Sequence, residues 1–242
     1  MEEKSYMNNA IEIKGLVKKY KKLSALDNVN IDIKENLITA FIGPNGSGKT
    51  TLLKIILNII DLDQGEVRFI QQYKMGFLSD EFIPYEHLTV RDNLRAFSKL
   101  KRIPSKEISS EVERVLLITF LTDEKNKLYK DLSSGMKKKF HFGLALLGKP
   151  KLLILDEPFS ALDLVGRKDF IAILKYLKEK RDTTIILSSH DLTSISDFCD
   201  EIVFMKKGKI ILEADSSKSL SYLNEKYMEY FEDDIEQALS NL

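Results

Sequence analysis

The amino-acid sequence predicts an α/β fold with a mostly parallel sheet, an N-terminal antiparallel β layer and an inserted helical subdomain. Apolar runs at 37–42 and 152–155, and the stretch TTIILSS at 183–189 with its apolar centre, have the length and composition of buried strands. Helical patterns separate these runs, and continuous apolar strands in strand–helix–strand order are typical of a parallel sheet covered on both faces. Residues from about 84 to 147 show helical periodicity instead.

The antiparallel layer is predicted from the first 35 residues. Residues 11–15 alternate as a short strand, and 15–22 read as a basic turn that carries Tyr20. Residues 29–33 place Val and Ile at every second position, which is the period of a half-buried strand. Further strands are predicted at 37–42, 67–70 and 74–78.

The helical subdomain is predicted over 84–147. Apolar residues at helical spacing line one helix before the break at Ile103-Pro104 and another after it. A third helix is capped by Ser133 or Ser134 and stops at the Gly148-Lys149-Pro150 break.

The end of the chain completes the core. An amphipathic pattern over 170–177 predicts a crossover helix, and 202–212 reads as a hairpin. We predict one nucleotide-binding domain over 1–215 and a C-terminal helical tail over 216–242 with no assigned role.

Composition narrows the functional classes. Lys+Arg and Asp+Glu both number 37, so no global charge favours nucleic acid. Cys199 is the single cysteine, which fits a reducing compartment. The N-terminus shows no secretory signal, and the longest apolar runs fall short of the ~18–20 residues of a membrane span. We therefore expect a cytosolic chain that reaches a membrane only through partners.

The sequence GPNGSGKT at 43–50 fits the phosphate-binding pattern G-x-x-x-x-G-K-[ST]. The apolar run before it and the helical pattern after it supply the strand–loop–helix order of a P-loop NTPase core, which disfavours a chance glycine-rich turn. In this pattern Lys49 reaches the β- and γ-phosphates of a nucleoside triphosphate, and the Thr50 hydroxyl binds Mg²⁺. The predicted nucleotide-binding residues are Gly43, Pro44, Asn45, Gly46, Ser47, Gly48, Lys49, Thr50 and Thr51.

Two carboxylates and a histidine follow the other buried strands. Asp156 and Glu157 end the run at 152–155, where the carboxyl ends of parallel strands meet the phosphate loop. Asp156 would hold Mg²⁺ and Glu157 would act as general base for the attacking water; the alternative is a strand end with two solvated acids. His190 follows 183–189 as a candidate γ-phosphate sensor, with a helix cap or surface residue as the alternative.

With these residues in view, the chain to about residue 215 resembles the nucleotide-binding subunit of ABC transporters. LSSGM at 132–136 resembles the signature motif LSGGQ of that family, and Ser160-Ala161-Leu162-Asp163 resembles its D-loop. His190 matches its switch histidine, and Tyr20 stands where the family stacks an aromatic ring on adenine.

The resemblance implies an ATPase with ATP and Mg²⁺ as cofactors. Two subunits, copies or paralogues, would pair head to tail so that Ser133 and Gly135 of one face the phosphate loop of the other, with Asp163 beside the nucleotide. Integral-membrane transporter subunits would be the other partners, with the chain cytoplasmic and peripheral on the inner face of the cell membrane. The short single-cassette form resembles simple bacterial exporters.

The sequence departs from the family pattern in places. The Q-loop glutamine falls on Asp80, whose carboxylate can still bind Mg²⁺; the alternative is a charged turn over 79–81. Ser134 and Met136 replace a glycine and a glutamine of the signature. Beside the Q-loop, an apolar cluster over 82–85 would dock a membrane subunit or pack in the core.

Two alternative functions fit the sequence less well. A soluble ABC ATPase acting on ribosomes or nucleic acid usually has two cassettes, a coiled-coil insert or a basic surface, and this sequence shows none of them. A GTPase would need a guanine-recognition motif, which the sequence lacks. His87 and His141 lack ligand partners at metal-binding spacing. We expect Cys199 to be a packed residue. We expect Lys137–Lys139 to form a solvated face, with a role in steering ATP or a partner as the alternative.

Overall fold

Strands dominate the first eighty residues, and helices dominate the stretch from 90 to 146. The computed structural model describes residues 8–21, 23–79, 81–215 and 217–231. The strands are β1 (Asn9–Tyr20), β2 (Leu23–Lys34), β3 (Ile38–Ile42), β4 (Gln64–Phe69), β5 (Met75–Leu78), β6 (Leu152–Leu155), β7 (Thr184–Ser189), β8 (Glu201–Lys206) and β9 (Lys209–Asp215). The helices are α1 (Lys49–Ile56), α2 (Val90–Leu100), α3 (Ser105–Ile118), α4 (Ser134–Leu146), α5 (Leu164–Arg181) and α6 (Leu220–Phe231).

The predicted antiparallel layer is confirmed as a three-stranded sheet. β1 lies in the middle and pairs antiparallel with β2 and with β4. Ile11 and Ile13 of β1 stand opposite Ile33 and Ile31 of β2, and all four side chains are buried. Burial of alternate β-branched residues on one face therefore holds this layer.

The basic turn predicted over 15–22 is wrong for residues 15–20, because β1 continues to Tyr20. Gly15 takes a φ of +60°, and the register to β2 shifts between Ile13 and Leu16. A bulge of this kind takes up an extra residue without ending the strand. Because the strand continues past this bulge, Tyr20 is the last residue of β1.

The chain divides into two compact units. The first contains the described residues of 1–72 and 186–242, and the second contains 73–185. Helices α2, α3 and α4 all belong to the second unit, together with β5, β6 and α5. The domain boundaries predicted at 84–147 and at 215 stay predictions.

Parallel pairing confirms the predicted α/β sheet in both units. In the first unit β3 and β8 are parallel, and the closing β8–β9 hairpin is antiparallel. In the second unit β5 and β6 are parallel. Every residue of β3, β6 and β7 is buried, including the hydroxyl-bearing Thr184, Ser188 and Ser189 of β7.

Helices α2, α3 and α4 of the second unit are separated at the breaks that the sequence predicts. Thr89 caps α2 by accepting a hydrogen bond from the backbone N–H of Asp92 at 3.0 Å. Pro104 precedes the first residue of α3, and Gly148 follows α4 with a φ of +80°. Among the described residues, no helix combines the length and the hydropathy needed to cross a membrane.

The lysines at 137–139 are not all solvated. The Lys138 side chain is buried, which contradicts the predicted solvated face at this position. Lys137 and Lys139 place their ammonium groups 5.4 Å and 5.6 Å from the rings of Tyr129 and Phe120. Cys199 is buried, which confirms it as a packed residue.

Candidate nucleotide-binding site

The phosphate loop joins β3 to α1 in the first unit. β3 ends at Ile42, and α1 begins at Lys49. Gly48 takes a φ of +107°, which lets the chain turn into the helix with its first N–H groups facing the loop. The strand–loop–helix order predicted from 43–50 is therefore present in the structure.

Backbone contacts hold this loop closely. The Gly43 N–H donates to the Ser189 carbonyl oxygen at 3.4 Å, and the Gly208 N–H donates to the Ser47 carbonyl oxygen at 3.0 Å. A Cβ atom added to Gly43 would lie 2.2 Å from the Met205 carbonyl oxygen. Only glycine fits at position 43, because the Met205 backbone leaves no room for a Cβ atom.

Lys49 and Ser47 give the loop its anion-binding character. The Lys49 ammonium is buried and donates to the carbonyl oxygens of Gly43 at 2.6 Å and Pro44 at 3.2 Å, which fixes the charge over the loop. The buried Ser47 hydroxyl has no hydrogen-bond partner among the described residues. Gly46 has open space where a Cβ would stand. An ammonium, an unpaired hydroxyl and open backbone fit the phosphates of ATP.

His190 follows β7 directly, and the preceding Ser189 carbonyl accepts from Gly43 of the loop. The carboxylate of Asp191 accepts hydrogen bonds from the backbone N–H groups of Thr193 and Ser194, which fixes the turn after His190. The structure therefore brings the His190 backbone beside the phosphate loop within the first unit.

The C-terminal helix α6 also contacts this segment. The Tyr227 hydroxyl donates to the His190 carbonyl oxygen at 3.4 Å. Burial, and then the nearby charge of Asp191, raise the pKa of Tyr227. Tyr227 therefore remains a hydrogen-bond donor at neutral pH.

Tyr20, the candidate adenine-stacking residue, ends β1 in the same unit. Its side chain is 46% exposed, and the Lys18 ammonium lies 5.6 Å from the ring centroid. Lys18 is itself held 3.1 Å from the Asp63 carboxylate. The ring is accessible for stacking.

The acidic strand end lies in the second unit. Asp156 follows β6, and its N–H donates to the Leu78 carbonyl oxygen of β5 at 3.0 Å. Glu157 takes a φ of +46°, which is uncommon for a residue other than glycine. Its carbonyl oxygen accepts from the Ser160 hydroxyl at 2.9 Å, which closes the turn. This left-handed backbone conformation fixes the position of Glu157 in the turn after β6.

The signature segment and the D-loop lie together in the second unit. Ser133 caps α4, with its hydroxyl oxygen accepting from the Met136 N–H at 3.3 Å. A Cβ on Gly135 would stand 3.3 Å from the Ala161 carbonyl oxygen of the D-loop. Asp163 caps α5 through a 2.7 Å hydrogen bond from the Gly166 N–H. Asp163 therefore also has a structural role, which the sequence did not predict.

The predicted site residues thus fall into two groups. The first unit holds the loop at 43–51, Tyr20 and His190, and the second holds Asp156, Glu157, Ser133, Gly135 and Asp163. Asp80 lies outside the described residues. The assignment of each residue to a role stays a prediction.

Hydroxyl and carboxylate oxygens are the donors predicted for Mg²⁺. No group of three or more His, Cys, Asp or Glu side chains suited to a metal ion occurs in the described part of the chain. Mg²⁺ usually takes one or two protein ligands and fills its shell with phosphate oxygens and water. Thr50 and Asp156 are donors of the type that such a site uses.

His141 has contacts that the sequence did not reveal. It is buried on α4, with Nε2 2.8 Å from the Tyr129 hydroxyl and Nδ1 3.0 Å from the Ser79 carbonyl oxygen. It thus ties the residue before the Q-loop position to the helix that carries the signature. Its partners are far apart in sequence, so no spacing pattern marks them.

Replacing His141 by Ala should lower the free energy of unfolding by about 2–4 kcal/mol, because it opens a cavity and removes buried hydrogen-bond partners. Urea unfolding followed by circular dichroism measures the change. The exposed His87, replaced by Ala, is the matched control and should shift stability by less than about 0.5 kcal/mol. Equal stability of the two variants would contradict the bridging role.

The comparisons with known proteins agree with this geometry. Residues 26–160 match the family model described as ABC transporter. The ATP-binding protein YdbJ of Bacillus subtilis is 35% identical over 221 residues, which cover 84% of this chain and 68% of that protein. The spermidine/putrescine import ATP-binding protein PotA of Clostridioides difficile is 34% identical, and the sulfate/thiosulfate import protein CysA of Nocardia farcinica is 35% identical. These matches cover 84% and 83% of this chain.

Solved structures give the same result. The dimeric ATP-binding cassette MJ0796, bound to ADP and Pi, superposes with a TM-score of 0.79 at 26% identity, covering 86% of this chain and 100% of that one. The fold of cbiO1 from Clostridium perfringens is also similar, with a TM-score of 0.78 at 24% identity and coverage of 96% and 99%.

The fold and the loop define an α/β P-loop ATPase. The chain belongs to the ABC transporter family, in which it is an ATPase cassette. It spans 61% of PotA and 63% of CysA, so about three fifths of the length of those relatives.

Proposed function

We propose that this chain binds and hydrolyses ATP with Mg²⁺ and so powers a membrane transporter whose spanning subunits are separate chains. The observation that carries the proposal is the phosphate loop, where a buried Lys49 ammonium, open backbone and a helix start converge. These features together form a binding site for a polyanion such as the phosphates of ATP.

The two carboxylates after β6 carry out the hydrolysis step. Glu157 accepts the proton of the attacking water as general base, and Asp156 provides an oxygen ligand for Mg²⁺, which neutralises phosphate charge when bound. His190 holds a γ-phosphate oxygen. Asp80, at the Q-loop position of the sequence, is a further candidate oxygen ligand for Mg²⁺.

A second ATP-binding subunit completes the site. Ser133 is exposed at the N-terminus of α4, where its hydroxyl and the helix dipole are available to an anion from outside the chain. We propose that two subunits, copies or paralogues, meet head to tail, so that Ser133 and Gly135 of one contact the γ-phosphate held by the other, with Asp163 at the same interface. The dimeric state of MJ0796 supports this arrangement.

The cluster over 82–85 fits a membrane partner. Phe82, Ile83 and Tyr85 are 42%, 80% and 53% exposed. Phe82 and Tyr85 both pack on Phe97 of α2, with ring centroids 4.9 Å and 5.8 Å from it. An exposed aromatic patch that packs against a helix suits a hydrophobic helix of a membrane subunit.

Replacing Tyr85 by Ala should weaken co-purification with the membrane subunit by roughly 10–30-fold in affinity, because aromatic anchors supply much of such binding energy. ATP hydrolysis by the isolated chain should persist. Phe120→Ala, at another exposed aromatic residue, is the control and should leave association unchanged. Unchanged association of the Tyr85 variant would remove this patch from the interface.

The direction of transport is a separate question. The sequence prediction of export finds no support in PotA and CysA, which are import ATP-binding proteins by name. These relatives also disfavour the alternative of a soluble ATPase on ribosomes or nucleic acid. We place the chain at the cytoplasmic face of the membrane through its partners and assign no direction.

Co-expression tests the proposal. The candidate partner is a hydrophobic chain with about six predicted spans encoded in the neighbouring reading frame. We expect a stable complex in detergent whose ATP hydrolysis changes when cargo is added. An active ATPase that binds no membrane chain, and binds ribosomes instead, would contradict transport.

A further inference from the structure

A concave pocket of about 610 Å³ opens in the second unit, away from the acidic strand end. Lys151 and Thr183 line it, and they directly precede β6 and β7. Asp156 and Glu157 follow the opposite end of β6, about 15 Å away along the strand. The pocket is therefore distinct from the candidate catalytic carboxylates.

Five cations and one acid, Asp182, line this pocket. The cations are Arg114, Lys149, Lys151, Lys180 and Arg181. Such an excess of one sign around a concave surface concentrates the positive potential inside it.

Two of the cations serve the fold. Arg114 donates two hydrogen bonds to the Glu111 carboxylate, at 2.7 Å and 2.8 Å, and one to the Leu146 carbonyl oxygen at the end of α4. Lys151 donates to the Arg181 carbonyl oxygen at the end of α5, at 2.6 Å. Both cap helix C-termini, which is an ordinary structural role.

The other three cations have no such role. Lys149, Lys180 and Arg181 are exposed, and their side chains make no ion pair or hydrogen bond with the described residues. Their charges remain available to a ligand. Three cations match a phosphate dianion better than they match a single carboxylate.

The pocket wall also has apolar surface. Leu117 is 70% exposed and the Tyr176 ring is 48% exposed, and both line the pocket beside Ile118. Apolar side chains beside a few charges are the usual composition of a small-molecule site, and 610 Å³ lies within the usual range of ~300–1,000 Å³. A concave pocket of this size suits a small molecule rather than a flat membrane surface.

We propose that this pocket binds a small organic phosphate with an aromatic or aliphatic body. Lys149, Lys180 and Arg181 bind the phosphate group, and Leu117 and Tyr176 contact the body. The site does not depend on the proposed transport function.

Titration with 1-naphthyl phosphate, followed by its fluorescence anisotropy, tests the site on the full chain. Saturating Mg-ADP is present so that the phosphate loop is filled. We expect saturable binding at one site per chain, and at least about tenfold weaker binding of 1-naphthol, which has the same rings without the phosphate. Absence of saturable binding, or equal binding of naphthol, overturns the proposal.

Charge variants locate the binding. The triple variant K149A/K180A/R181A should bind the probe about tenfold or more weakly. A matched triple variant, K106A/K168A/K175A, removes three exposed cations of α3 and α5 that do not line the pocket, and it should bind like wild type. All six side chains are exposed, so both variants should fold. Equal affinities of the two variants would place the binding elsewhere and overturn the proposal.

Discussion

Replacing Glu157 by Gln is expected to lower ATP turnover by about 10²–10⁴-fold while ATP binding persists. The amide keeps the size of the side chain but cannot accept the proton of the attacking water. The left-handed backbone at position 157 and the Ser160 hydrogen bond to its carbonyl oxygen do not involve the side chain, so the fold should be retained.

The same variant should remain a dimer in the presence of Mg-ATP, because hydrolysis is the step that reopens the pair. Light scattering after size-exclusion chromatography measures the mass, and a coupled phosphate assay measures turnover. Glu179→Gln, at an exposed position of α5, is the control and should turn over ATP like wild type. Wild-type turnover in the Glu157 variant would remove it as the general base.

Replacing Lys49 by Ala is expected to weaken ATP binding by about 10–100-fold and to lower turnover further. The buried ammonium is the charge nearest the loop carbonyls, and the variant loses its attraction for the phosphates. Binding is measured with a fluorescent ATP analogue. Turnover falls more than binding because charge on the phosphates grows in the transition state.

Lys54→Ala, on the same helix α1 but outside the loop, controls for general effects of removing a lysine. It should keep ATP affinity within about twofold of wild type. Wild-type affinity in the Lys49 variant would mean that the loop at 43–50 does not hold the phosphates.

Local patterns predicted the parts of the fold that local forces determine. The apolar runs predicted the buried strands β3 and β6, and the apolar centre at 185–187 predicted β7, because strands covered on both faces are rich in apolar residues. The glycine spacing predicted the phosphate loop, and Gly43 and Gly48 stand where a Cβ would meet backbone atoms. Ser133 caps α4 as its residue type predicts.

Features that depend on distant partners were not predictable. His141 reaches Ser79, 62 residues earlier, and no pattern within α4 indicates that contact. The bulge at Gly15 extended β1 because pairing with β2 and β4 on both sides outweighs the local turn propensity. Lys138 is buried although its neighbours suggested a solvated face, because burial depends on what packs over the helix.

Calorimetric titration of the wild-type chain with Mg-ATP tests the central claim most directly. The phosphate loop predicts saturable binding of one ATP per chain, competed by ADP and weakened when Mg²⁺ is removed. A chain that is folded by circular dichroism yet takes up no nucleotide would contradict the account.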